Sequence, residues 1–165
     1  MKRLHIYHYM QCFRRYIIFI SVFMLFEHTN APAAEIAQRL ALLVAAPWEG
    51  ETAMHNDLVA TYNTLRQRGF SPEEFLVLEG ALTRSLLLAF LQDVQRRISS
   101  WQHGDVWFSF SGHGTFYGTR AAEARPGLLF TSALHPSQED QMLWDEVFAA
   151  LQVPQAVQLI LLPDS

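Results

Sequence analysis

His113 stands apart among the residues able to move a proton near neutral pH. It follows the apolar stretch "VWFSF" (106–110) inside "SGHG", Ser111 to Gly114. An imidazole there can serve as general acid or base, and glycines on both sides let a substrate backbone approach closely. The plainer alternative is a loop histidine at a strand end, with the glycines supplying a turn. His5, His8 and His28 lie near the N-terminus, and His55, His103 and His135 share no ligand spacing with His113. There is no H-x-x-x-H pair and no cysteine partner, so no metal site is expected. Serine catalysis lacks a G-x-S-x-G elbow, and Ser111 precedes His113 too closely to be its nucleophile. The one cysteine is Cys12. A nucleophile for His113 should project from the neighbouring strand end, and the sequence there reads "LLPDS" (161–165).

The elements that must carry these groups alternate. "LALLVAA" (40–46) is a short apolar run that reads as a buried strand. Over 51–68, Met54, Leu58, Tyr62 and Leu65 share one helical face, with Gly69 as the stop. "FLVL" (75–78) is a second strand. A second helix follows, with Leu87, Leu91, Val94 and Ile98 on one stripe and Arg96 and Arg97 complementing its dipole. "VWFSF" is the third strand, and its Trp107 and Phe108 read as core. An irregular stretch of about 30 residues by the same reading holds only "GLLF" (127–130) as a small hairpin strand. A short helix over 142–151 turns Leu143, Val147, Phe148 and Leu151 inward, and "AVQLILL" (156–162) is the fourth strand.

This order predicts an α/β fold with a mainly parallel sheet and helices on both faces. Strands buried on both faces read as unbroken apolar runs. Ligands in such sheets sit beyond the carboxyl ends of the strands. That rule places "SGHG" and "PDS" on one edge.

Residues 1–33 read as a signal peptide. A basic segment with Lys2, Arg3, Arg14 and Arg15 precedes the apolar run 16–26, and "APAA" supplies Ala31 and Ala33 in A-x-A positions. Pro32 blocks a cut after Ala31, so cleavage is placed after Ala33. The apolar run is too short for the ~20 residues of a spanning helix; an uncleaved anchor is the rival reading. Residues 34–165 are then an exported domain, periplasmic or extracellular. The leader takes four basic residues and Glu27 with it, moving the formal charge from −4 to −7. An acidic body without a basic stripe argues against a nucleic-acid partner, and no membrane partner is expected after cleavage.

With those residues in place, the chain resembles the caspase-like cysteine peptidases, in the metacaspase and bacterial orthocaspase branch. The resemblance spans 40–165. In that family strand three ends in "SGHG" and strand four in "DSCHSG", whose cysteine is the nucleophile. Asp164 and Ser165 match the first two residues of the latter, and a cysteine after Ser165 would follow His113 by roughly 50 residues, the caspase spacing. "MHNDLVATYNTLRQRGF" (54–70) is similar to the family's first-helix pattern "C-x-N-D-A…L…L…G-F".

The resemblance implies a caspase-like three-layer sandwich, incomplete at its C-terminus. It also implies a cysteine-type endopeptidase function, inactive in this chain for want of the thiol. His113 would be the catalytic imidazole, and the Gly114 backbone N–H an oxyanion donor. Asp57, Ser111 and Asp164 match positions lining a pocket for the substrate's basic residue, implying cleavage after Arg or Lys. The partner would be a peptide or protein with such a residue. The alternative is a non-catalytic module binding basic peptides. No cofactor is expected; calcium is used by some relatives, but Glu139 and Asp140 form too weak a pattern to place a site.

Overall fold

The computed structural model describes residues 38–117 and 124–162. The chain divides after Ile36 into two units. The first unit, the proposed leader and the terminal "PDS" all lie outside the described residues.

The described chain is α/β. Strand β1 (Arg39–Ala45) leads through helix α1 (Ala53–Gln67) and a 3-10 turn (Pro72–Glu74) into β2 (Phe75–Glu79). Helix α2 (Arg84–Ile98) returns the chain to β3 (Gly104–Ser111). The short strands β4 (His113–Tyr117), β5 (Arg125–Leu129) and β6 (Gln141–Leu143) follow. Helix α3 (Trp144–Leu151) and β7 (Val157–Leu162) close the described order. Strands β2, β1, β3 and β7 lie in that order in one sheet, every pair parallel. β4, β5 and β6 form a second, antiparallel sheet.

β1 shows why both sheet faces must be covered. Successive side chains of a strand point to opposite faces. Leu40, Leu42 and Val44 accordingly pack with Leu87, Leu91, Val94 and Ile98 of α2 and with Val147 and Leu151 of α3. Ala41, Leu43 and Ala45 pack the other way, with Leu58 and Leu65 of α1 and with Phe70 and Phe75. The α2 stripe is fully buried, and each such leucine or valine contributes about 1.5–3 kcal/mol. α2 starts cleanly because Thr83 Oγ1 accepts a hydrogen bond from the Leu86 N–H at 3.1 Å, satisfying an orphan donor of the first turn.

Four local expectations change. The stretch after β3 is not irregular apart from one hairpin strand, because His113–Tyr117 and Gln141–Leu143 both pair with β5 in the antiparallel sheet. The expected helix over 142–151 begins only at Trp144, since Gln141–Leu143 pair with β5. Phe148 is 41 % exposed rather than inward; it stacks on Trp144 at 5.7 Å between centroids, one turn back on the outer face. The edge strands are also less buried than unbroken apolar runs imply. Val77 of β2 and Leu161 of β7 are exposed, because each of these strands has a single neighbour among the described strands.

Candidate functional site

The strand order reverses direction at β1. The chain leaves β1 toward β2 on one side, and β3 joins on the other. In sheets of this order the crevice expected to take a ligand lies where the loops after two such strands part, beyond their carboxyl ends. Pairing of β1 with β3 runs up to Ala45 opposite Ser111. It continues one step further, as the Ala46 N–H donates to the Ser111 carbonyl at 2.9 Å. The loop from Ala46 to Thr52 and the segment Gly112–His113 therefore start from a fixed register.

His113 is the first residue of β4, opposite Leu129 of β5. Its ring lies on the indole of Trp48, with centroids 3.5 Å apart and planes 20° from parallel. Its Nε2 is 3.2 Å from both carboxylate oxygens of Glu51. The same carboxylate accepts the backbone N–H of Trp48 at 2.9 Å. That N–H holds the Glu51 carboxyl below the ordinary range; partial burial works against it, and the imidazole adds to the lowering. His113 remains about a third exposed, so the ring is held yet reachable.

Glycine at 112 is a packing requirement. A Cβ there would stand 2.6 Å from the Phe110 ring and 3.3 Å from the Ala46 Cβ. Gly114 is different: a Cβ would meet only the Gly127 carbonyl, at 3.9 Å. Neither glycine has a positive φ, so "GHG" is not a glycine turn. The chain bends at Gly112 as it passes from one sheet into the other.

Ser111 is buried, and its Oγ donates to Asp57 Oδ2 at 3.2 Å. Asp57 sits in the first turns of α1, over the same strand ends. The structure thus joins Asp57 to Ser111, while Ser111 lies two residues before His113 on the adjoining backbone. Asp164, the third expected pocket residue, lies outside the described residues. β7 nonetheless runs beside β3 in parallel register, Leu162 opposite Ser109, so its carboxyl end belongs to this edge. On the far side, His55 of α1 and Glu79 at the end of β2 pair at 2.7 Å.

Trp48 and Glu51 were missed in the sequence. Neither belongs to a recognisable motif, and only the rule that the β1 and β3 carboxyl ends share a crevice could have singled out "PWEGE" (47–51). Glu139 and Asp140 are engaged elsewhere. Glu139 accepts from the Ser85 N–H and hydroxyl at the start of α2, and Asp140 from the Ser137 N–H and hydroxyl. Among the described residues no three His, Cys, Asp or Glu side chains cluster as a metal site, and no helix is long and apolar enough to cross a membrane.

The arrangement supplies an oriented imidazole paired with a carboxylate, and a separate hydroxyl–carboxylate pair beside it. The described residues contain no cysteine. Compared with protein-family models and with curated proteins, the chain matches none.

Proposed function

We propose that residues 34–165 form a caspase-like cysteine-endopeptidase domain of an exported protein. His113 is its acid–base imidazole, and a thiol expected beyond Ser165 is its nucleophile. The observation that carries this reading is the shared edge. β3 ends at Ser111, two residues before His113, and β7, the next strand in the sheet, runs parallel to it as far as Leu162 opposite Ser109. The two-faced α/β architecture supports the caspase-like sandwich. In the proposed reaction the thiolate attacks the scissile carbonyl and His113 gives a proton to the leaving amine. The Gly114 N–H and the N–H of the thiol residue hold the oxyanion. Asp57, with Ser111 hydrogen-bonded to it, and Asp164 select an arginine or lysine side chain. Calcium has no proposed ligands.

A second reading, a module that binds basic peptides without cutting them, is favoured by the Ser111–Asp57 pair, which places a carboxylate over the strand ends and needs no thiol. One assay addresses both readings. The 165-residue chain is incubated with a fluorogenic arginine peptide, and its binding is followed by anisotropy. Binding without cleavage, weakened several-fold by Asp57→Ala, is expected under either reading. Cleavage that survives His113→Ala rules out the proposed chemistry. The nucleotides after codon 165 separate the two: Cys-His-Ser-Gly in any frame supports the peptidase, and no such remnant supports the binding module.

A further inference from the structure

His113 has two ring nitrogens, and its use as a base depends on which one carries the proton. Nε2 faces both Glu51 oxygens at 3.2 Å. An ionised carboxylate only accepts hydrogen bonds, so a neutral imidazole in this contact must carry its proton on Nε2. Among the described residues nothing hydrogen-bonds Nδ1. Trp48 closes one ring face by stacking, and its own backbone N–H fixes the Glu51 carboxylate. Loop 46–52 therefore holds the imidazole from two directions, by a plane and by a charge.

We propose that Glu51 is a positioning residue that locks neutral His113 as the Nε2–H tautomer and leaves the Nδ1 lone pair as the proton acceptor in the crevice. The role assigned to that lone pair rests on the peptidase reading; the tautomer itself does not. The carboxylate would also stabilise the imidazolium formed when Nδ1 takes a proton, as a buried carboxylate does for the histidine of a serine-protease triad. Trp48 keeps the ring plane from rotating out of this contact. A histidine–carboxylate pair of this kind orients the base and fixes its tautomer, whereas a merely structural Glu51 would leave the tautomer unchanged.

The test is nitrogen-15 NMR of the imidazoles in the 165-residue chain, at a pH where His113 is neutral. His113 is assigned by comparison with His113→Ala. The expected spectrum shows a protonated Nε2, an unprotonated Nδ1, and an Nε2–H proton protected enough from exchange to be seen. In Glu51→Ala that proton resonance is lost to exchange and the two nitrogen shifts move toward their mean, while circular dichroism stays native. An Nδ1–H tautomer in the unmutated chain overturns the proposal. So does an Nε2–H that exchanges too fast to detect, or a Glu51→Ala spectrum unchanged in both respects. If Glu51→Ala does not fold, the unmutated spectrum alone decides by the first two criteria. Peptide hydrolysis plays no part in the readout, so a chain that cuts nothing and still shows the locked tautomer counts against the peptidase reading alone.

Discussion

At the scale of single residues, the two glycines around His113 do different work. Gly112→Ala drives a Cβ into the Phe110 ring, and Phe110 is buried against Phe130 in the core. Overpacking of this kind costs about 1–3 kcal/mol, so a fall in denaturation midpoint is expected. Gly114→Ala meets ordinary contact distance and should leave the midpoint within about 0.5 kcal/mol of the parent. Equal losses in both variants would contradict this account of the segment. His113 itself was readable in the sequence because an apolar strand ran straight into it. Its partners were not. Trp48 and Glu51 lie 65 and 62 positions away, and only the β1–β3 register brings them to the ring. Asp57 could not be told from an exposed helix acid without the resemblance, and its bond to Ser111 is a tertiary fact.

At the scale of elements, helices and long strands were readable because their side-chain periods match their burial. The α2 stripe expected from spacing alone is the fully buried set. Leu91→Ala is therefore expected to cost about 2–5 kcal/mol in chemical denaturation. Leu86→Ala, on the exposed side of the same helix, should cost about 0.5 kcal/mol or less. The short strands were not readable. "HGTFY" opens with an imidazole and a glycine, neither favoured in strands, and it is a strand only because 125–129 pairs with it. β6 has three residues, too few to show any alternation. Phe148 was misplaced because a short helix offers little periodicity with which to tell a flank from a face.

At the scale of the whole molecule, several carboxylates are held below their ordinary range by hydrogen bonds that form with the fold. The Arg84 guanidinium bonded at 2.7 Å does this for Glu146, across α2 and α3. Ser137 does it for Asp140, and the Trp48 N–H for Glu51. A carboxyl whose folded value lies below its unfolded one adds stability that is complete above the unfolded value, roughly pH 4. That stability fades as pH falls through the lower folded value. The thermal midpoint should therefore drop on acidification below about pH 4, and a midpoint unchanged down to pH 3 would show these contacts contribute nothing. β7 has a single neighbour among the described strands, with Leu161 exposed. An open apolar edge favours strand-to-strand association, so Leu161→Lys is expected to lower light scattering of the 165-residue chain at a given concentration.

The central proposal is spatial: the chain that follows β7 brings a thiol to His113. It is tested most directly by appending one cysteine after Ser165 and measuring its alkylation by iodoacetamide at pH 6, where an ordinary thiol is almost wholly protonated. Cys12 is replaced by serine so that only one thiol reports. Beside the imidazole the appended thiol ionises more readily, and alkylation is expected to be about ten-fold faster or more than in the same chain carrying His113→Ala. Equal rates in the two chains would contradict the account.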